Sequence, residues 1–442
     1  MVEIFAIGGY NEVGKNMTAI KVGNEIVILD MGIHLDSYIK YTQDEDIENL
    51  KESDLRKAGA VPDDTQIHNL RNEVIAIIPT HAHLDHVGAI PFCSNKYNAP
   101  IICTPFTAAV IKAIVRDEKI NLRNEIKSLN INSKIKLSDD ITVEFINVTH
   151  STPQTIIAAL HTKEGVILYA NDFKFDLYPT LGQKPNFERL EELGKEGVFA
   201  LIVDSTYASL AQKMPSESVA QQMLKDVLLG TNSKGKAVII TTFSSHIARL
   251  KSIVEFGRKM GRKIVFLGRS LAKYSYAAED VGIAYFSKDT EIVKFGSKVK
   301  GKLSEIMKKG KEKYLLVVTG HQGELKSTLS KMADLKTPFI FDSEDHVIFS
   351  SRVIPTPTNI EDRAILEKKL RGFGCRIFTD IHVSGHAARE DLRDMINLVK
   401  PKHIIPAHGE PSMLSSLMDL AIEMGYKKEN VHLMRDGRKL SL

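Results

Sequence analysis

The chain opens on an apolar run, Val2-Glu3-Ile4-Phe5-Ala6-Ile7, that reads as a buried strand. More runs of strand length follow. Met17 to Val22 and Glu25 to Asp30 flank Gly23-Asn24, a hairpin signal. Val74 to Ile78, Pro100 to Cys103 and Ile141 to Val148 come next, then Ile156 to His161 and Gly165 to Ala170 around Thr162-Lys163-Glu164, and finally Ala200 to Val203. Residues 37–72 break this rhythm: they are polar and without period, and predict an insertion loop with a short helix around Asp44 to Lys57. Thr104 to Asp117 has helical spacing, with Thr104 as N-cap and Pro105 at the first position.

From about residue 209 the rhythm changes. Helical spacing over Glu217 to Leu229 and Ser245 to Lys259 alternates with apolar strands over Lys236 to Thr241, Lys263 to Leu267 and Lys313 to Thr319. Such alternation predicts a parallel sheet covered by helices. After Arg376-Ile377-Phe378 the first style returns, with a helix over Ala388 to Val399 and a strand from Lys402 into His408. The expected division is 1–208, 209–375 and 376–442, with the middle stretch inserted between two parts of one domain.

The ends of the predicted strands carry the chemistry. Directly after Val74 to Ile78 stands Thr80-His81-Ala82-His83-Leu84-Asp85-His86, with three histidines and an aspartate spaced H-x-H-x-D-H. Imidazole and carboxylate ligate first-row divalent metals. The spacing lets alternate side chains face one ion and the next pair face a second. Asp30, His150, Asp172, Asp204 and His408 each lie just past an apolar strand as well. Alone, each is an ordinary cap or turn former. Together they point to one cleft at the edge of a sheet or sheet pair. Asp30 fits equally a cap and a partner of the metal loop.

In the middle stretch, the loop carrying Ser244 and Ser245 and the loop carrying Gly320 follow strands and would expose backbone N–H groups suited to phosphate. They fit plain strand-to-helix connections equally well. The turn Gly8 to Asn16 lacks the spacing of a P-loop.

Length and composition narrow the class. With 442 residues the chain is too long for one ordinary core. A net charge of +4, from 59 Lys and Arg against 55 Asp and Glu, permits a polyanionic partner without arguing for one. The Lys-rich stretch Lys294 to Lys313 reads as a solvated helix face or as a track for a nucleic-acid backbone. Apolar runs are too short to span a membrane, and no secretory signal opens the chain. Cys93, Cys103 and Cys375 are not spaced as a motif, which suits a reducing cytoplasm.

Taken together, Asp30, the His81 to His86 cluster, His150, Asp172 and His408 resemble the metal motifs of the metallo-β-lactamase fold. The α/β insert after Asp204-Ser205-Thr206, with His386 and His408 beyond it, resembles the β-CASP group, which acts on nucleic acids. His382-Val383-Ser384-Gly385-His386, Pro406-Ala407-His408-Gly409-Glu410 and Thr319-Gly320-His321-Gln322-Gly323-Glu324 narrow the resemblance to the ribonuclease J family over nearly the whole chain. The end of the chain soon after the last motif suits the archaeal type. One departure is His321, where serine is frequent in the family.

The resemblance implies an α/β fold: an αββα metallo-β-lactamase sandwich with an inserted β-CASP domain, a parallel sheet flanked by helices. It implies two zinc ions per subunit, with manganese as a substitute. His81, His83 and His150 would hold one, Asp85, His86 and His408 the other, and Asp172 would bridge. It places His386, Asp85 and Asp204 in the catalytic set, His386 as proton donor or transition-state stabiliser. Asp30 and Asp204 would orient ligand histidines. His382 and Ser384, with Ser244 or Ser245 and Gly320, would bind the phosphate of a terminal nucleotide. The implied activity is processive 5′–3′ exonuclease action on single-stranded RNA from 5′-monophosphate ends, by a homodimer in the cytoplasm. Two alternatives are an endoribonuclease of the same family and a small-molecule metallo-hydrolase. All seven candidate ligands are present, which disfavours a non-catalytic subunit.

Overall fold

The computed structural model describes residues 1–44, 50–354 and 356–442. The chain divides into two compact units. One comprises Met1–Leu177, Gly182–Met214 and Gly385–Leu442; the other comprises Tyr178–Leu181 and Pro215–Ser384. The main junctions fall later than the 208 and 375 read from the sequence, for reasons of hydrogen bonding. The carbonyls of Leu210 and Gln212 accept the amides of Arg389 and Glu390 at 3.1 and 3.2 Å, which holds this segment in the first unit. Arg376–Phe378 pairs in parallel with His346–Phe349, which places it in the second.

The first unit is built on two sheets. The order of one is Arg438–Ser441, Val2–Gly8, Met17–Val22, Glu25–Leu29, Val74–Ile78, Ile101–Cys103, Ile126–Ser128. The other runs His403–Ala407, Val198–Asp204, Gly165–Ala170, Ile156–Thr162, Thr142–Asn147, Ser133–Lys136. Alternate residues of each strand face opposite sides. Ile4, Val27 and Ile78 from the first sheet therefore share one core with Phe145, Tyr169 and Ile202 from the second. The far side of the second sheet, with Leu168 and Leu201, packs on Leu190, Leu392 and Leu417. These belong to helices Phe187–Glu196, Arg389–Val399 and Pro411–Glu423. This is the αββα sandwich.

Strand direction then aligns the candidate ligands. Glu25–Leu29 is parallel to Val74–Ile78, so Asp30 and His81 leave one edge. Gly165–Ala170, Val198–Asp204 and His403–Ala407 are mutually parallel neighbours. Thr142–Asn147 runs the same way, because two antiparallel pairings separate it from Gly165–Ala170. His150, Asp172, Asp204 and His408 thus leave their sheet at a common edge.

Residues 37–72 differ from expectation. Helix Leu35–Asp44, helix Glu52–Lys57 and a 3₁₀ stretch Thr65–Glu73 occupy the segment; of the helix expected over 44–57, residues 45–49 lie outside the described residues and Glu52–Lys57 is helical. Ion pairs hold it, which periodicity does not reveal: Lys96 Nζ lies 2.6 Å from both Glu52 Oε1 and Asp64 Oδ2.

The second unit holds one sheet, ordered Thr290–Val293, Lys263–Leu267, Tyr314–Val318, Val238–Thr241, His346–Phe349, Arg376–Phe378, with all neighbours parallel. Its central strands Val238–Thr241 and Tyr314–Val318 are rich in Val, Ile and Leu and buried on both faces, as a covered parallel sheet demands. The Lys-rich stretch is largely helix Gly296–Lys309, which buries Val299, Leu303 and Ile306 and leaves Lys298, Lys300 and Lys308 exposed. Lys311 departs from the surface reading: it is buried, with Nζ 2.5 Å from Asp345 Oδ2. No helix among the described residues is long and apolar enough to cross a membrane.

Candidate metal centre

The loops at the common edge adopt conformations that side chains rarely choose. Asp30, Asp172 and His408 have φ of 59°, 45° and 52°, in the left-handed region. Strain of this kind persists where surrounding bonds over-determine the backbone. The His408 amide, for example, donates to the carbonyl of Gly9.

The seven predicted ligands form two groups of ligand atoms, and a third, Asp204, His386 and His408, adjoins them. His81 Nε2, His83 Nδ1, His150 Nε2 and Asp172 Oδ2 form the first. His83 Nδ1 lies 3.1 Å from both His81 Nε2 and His150 Nε2, and Asp172 Oδ2 lies 3.3 and 3.4 Å from the same two nitrogens. Asp85, His86, His408 and the other Asp172 oxygen form the second. Asp172 Oδ1 lies 3.3 Å from His86 Nε2 and 3.4 Å from His408 Nε2, and Asp85 Oδ2 lies 3.5 Å from His86 Nε2. Each oxygen of Asp172 faces one group.

Hydrogen bonds on the far side of each ring set the tautomers. His150 Nδ1 donates to the carbonyl of Gly385 at 2.8 Å, His86 Nδ1 to Asp30 Oδ2 at 2.7 Å, and His408 Nδ1 to Asn16 Oδ1 at 2.8 Å. Their Nε2 lone pairs therefore point inward. Asp30 is held in turn by Thr80, whose amide donates to Oδ1 at 2.7 Å, which favours the partner role over the bare cap.

These residues fit a metal. Four atoms placed tetrahedrally about 2.0–2.1 Å from zinc lie about 3.3–3.4 Å apart, close to the spacing of the first group. Inward lone pairs at such distances repel unless a cation lies between them. The buried Asp172 Oδ1 makes no hydrogen bond among the described residues, an orphan that a cation would satisfy.

Electrostatics agree with the ligand reading at the first group, while at the second the carboxylates around His86 favour a cation, which a metal or a proton would supply. Burial holds His83 down to about 3 and lowers His81 and His150 as well, so these rings are neutral and ligand-ready. Burial also acts to lower His86, but Asp172, Asp30 and Asp85 outweigh it and hold that ring well above its ordinary value. Asp172 is held well below the usual carboxylate range, because His408 and His86 outweigh its burial.

His386 stands beside both groups. Its Nδ1 lies 2.8 Å from Asp204 Oδ2 and 3.1 Å from Thr206 Oγ1, and its Nε2 lies 3.9 Å from Asp172 Oδ2. Its ring stacks on His408 with centroids 5.6 Å apart. Burial works to lower its pKa, yet Asp172 and Asp204 push it up to about 10.

Asn16, Thr80 and Gly32 carry no functional signal in the local sequence pattern. Asn16 was visible only as the end of a glycine-rich turn. It is buried, accepts from His408 through Oδ1 and donates through Nδ2 to the carbonyl of Asp85 at 3.1 Å.

The residues expected to hold phosphate lie in the second unit. Ser244, Gly320 and His382 follow three strands of the parallel sheet, at its carboxyl edge, where ligands of such sheets bind. Ser244 Oγ lies 2.9 Å from Ser270 Oγ, and the ring of Phe243 lies 4.3 Å from His321 and 6.1 Å from His382. Ser245 and Ser384 are buried. Gly320 has φ +124°, and a Cβ there would come within 2.6 Å of Ser327 Oγ, so packing alone requires its glycine. Burial, aided by Arg249 and His246, holds His382 down to about 2, so it is neutral.

Fold and site together define a metallo-hydrolase of the β-lactamase superfamily with a β-CASP insert. Residues 58–213 match the beta-lactamase superfamily domain, 235–366 the ribonuclease J beta-CASP domain, and 374–434 the Zn-dependent metallo-hydrolase RNA specificity domain. The chain is 46% identical over 442 residues to ribonuclease J of Methanocaldococcus jannaschii, covering 100% of this chain and 98% of that one. It is 41% identical over 445 residues to ribonuclease J of Pyrococcus abyssi, covering 100% and 97%. Against ribonuclease J 1 of Streptococcus pyogenes it is 32% identical over 446 residues, covering 100% and 74%. The chain belongs to the ribonuclease J family. A solved Enterococcus faecalis protein of unknown function shares the fold, with a TM-score of 0.64 over 100% of both chains at 16% identity.

Proposed function

We propose that the chain is a zinc-dependent, processive 5′–3′ exoribonuclease that degrades single-stranded RNA from 5′-monophosphate ends. The observation that carries this reading is Asp172, whose two oxygens face two groups of ligand atoms, with the His386 ring beside it. His81, His83 and His150 would hold one zinc and Asp85, His86 and His408 the other, with Asp172 between them; manganese is a substitute with the same ligand types. When bound, zinc supplies Lewis acidity for hydrolysis at phosphorus.

The chain's own residues supply the proton. His386 gives its Nε2 proton to the leaving 3′ oxygen. Asp204 accepts from Nδ1 at 2.8 Å, so the second ring proton stays in place and the ring keeps its orientation. Terminal phosphate would be held by the hydroxyls of Ser244, Ser245 and Ser384, by backbone at Gly320 and by neutral His382. The buried Nδ1 of His382 makes no hydrogen bond among the described residues, which supports a role in binding a ligand oxygen. In the chain Ser384 stands two positions before His386. We extend the proposal to a homodimer, from the family resemblance, and to the cytoplasm, which suits three unpaired buried thiols.

The test uses one RNA labelled at its 3′ end and carrying a 5′-monophosphate, 5′-triphosphate or 5′-hydroxyl, with a circular form of the same sequence. Zinc- or manganese-loaded protein should favour the monophosphate and spare the circle. Cleavage of the circle would make the activity endonucleolytic and remove the main support for the phosphate pocket.

A further inference from the structure

Segment 381–384 carries His382 and Ser384 and lies outside helix and strand. Side-chain bonds, in place of a ladder, hold the start of it. The carbonyl of Ile381 accepts from Arg249 Nη1 at 3.1 Å and from Ser350 Oγ at 2.8 Å.

Arg249 is fully buried in the first turn of helix Ile247–Lys259. Its Nε and Nη2 fork onto Glu217 Oε1 and Oε2 at 2.6 and 2.8 Å. Nη1 also reaches the carbonyl and hydroxyl of Ser350 at 3.0 and 2.8 Å. One guanidinium therefore ties together the start of helix Glu217–Gly230, its own helix, the residue after strand His346–Phe349 and the segment beyond Arg376–Phe378. Burying an ion pair is costly, and an apolar pair of similar volume is often as stable. What an apolar pair lacks is direction. The planar fork fixes where Nη1 points, and Nη1 points at Ile381. Arg249 also contributes to the field that keeps His382 neutral.

We propose that Arg249, backed by Glu217 and Ser350, is the positioning residue of the 5′-phosphate pocket. By holding the Ile381 carbonyl it sets the backbone from which His382 and Ser384 project, and so sets preference for a terminal phosphate without touching RNA. This inference rests on the phosphate-pocket reading above.

The experiment compares zinc-loaded full-length wild type with Arg249→Lys, Ser350→Ala, His382→Ala and Ser384→Ala. Initial rates are measured on 5′-monophosphate and 5′-hydroxyl RNA, with zinc content alongside. Arg249→Lys and Ser350→Ala should raise KM for the monophosphate RNA on the order of tenfold. The monophosphate-to-hydroxyl ratio of kcat/KM should shrink in step, while kcat and zinc content hold. If the lysine variant misfolds, Ser350→Ala decides, since it removes only a hydroxyl. Loss of the ratio in His382→Ala and Ser384→Ala, with the ratio intact in Ser350→Ala and Arg249→Lys, overturns the positioning role and leaves the pocket standing. An unchanged ratio in His382→Ala and Ser384→Ala overturns pocket and positioning role together. An equal fall in kcat on both RNAs would mark general structural damage and also overturns the role.

Discussion

Asn16 Oδ1 lies 2.8 Å from His408 Nδ1, a buried bond across 392 positions of sequence. It joins the first turn of the chain to the end of its last buried strand, and it fixes which nitrogen of His408 faces Asp172. Removing the acceptor in Asn16→Ala should free the ring to rotate or change tautomer. Zinc per chain should fall, and turnover should drop about 10–100-fold, the usual cost of losing a partner of a ligand histidine. Asn16→Asp, which keeps an acceptor at the same place, should restore part of both. Metal analysis of the purified variants checks this; full zinc and wild-type turnover in Asn16→Ala would exclude the clamp.

His386 separates proton transfer from metal binding. His386→Ala should lower turnover about 10²–10⁴-fold, the range of a lost general acid, with zinc content unchanged. Asp204→Asn should cost less, because the ring remains while its orienting acceptor at 2.8 Å weakens. Zinc loss in His386→Ala would show that the ring belongs with the ligands.

Gly32 underlies the ligand loop. A Cβ there would sit 1.6 Å from the carbonyl oxygen of Asp85 and 2.6 Å from the amide of His86, and backbone cannot swing aside. Gly32→Ala should destabilise the fold by about 3 kcal/mol or more, at the upper end of overpacking effects. Gly301, inside helix Gly296–Lys309, meets nothing within 4 Å. Gly301→Ala should stabilise by roughly 0.5–1 kcal/mol through helix propensity. Urea unfolding of the two variants side by side checks the contrast.

Asp436 gives stability a pH dependence away from the metal ligands. Burial first, and its hydrogen bond with Glu12 second, push it up to about 7. Its Oδ1 accepts the amide of Tyr10 at 2.9 Å. Between about pH 4, the ordinary carboxylate value, and the raised folded value, the folded chain keeps a proton that the unfolded chain has released. The contribution is complete below that window and is lost as pH rises through it. Melting temperatures from pH 5 to 8 should therefore decline less in Asp436→Asn than in wild type. Parallel curves would remove Asp436 from the account.

Much of the site was legible because strand ends are local. An apolar run followed by His81-x-His83-x-Asp85-His86 declares itself in a few residues, and Asp172, Asp204 and His408 follow runs just as plain. Change of period near 209 and its return after 376 exposed the insert. The junctions themselves, at Met214 and Ser384, depended on hydrogen bonds to Asp391 and on sheet pairing at Arg376, which no local pattern encodes. Residues 37–72 lacked a clear period because their anchors are scattered: Leu55, Ala60, Val61 and Ile67 are buried, and Glu52 and Asp64 pair with Lys96.

The sequence by itself determined which residue types stand at the ends of strands, since side-chain alternation and turn chemistry act over a few positions. Tertiary structure decided what they do together. Only parallel pairing of distant strands brought Asp172 between His81 and His408, 91 and 236 positions away by their numbering. Only packed partners such as Asn16, Asp30 and the Gly385 carbonyl chose the nitrogen each ring presents. A tautomer is set by the hydrogen bond on the ring's far side, and that bond comes from residues remote in the chain.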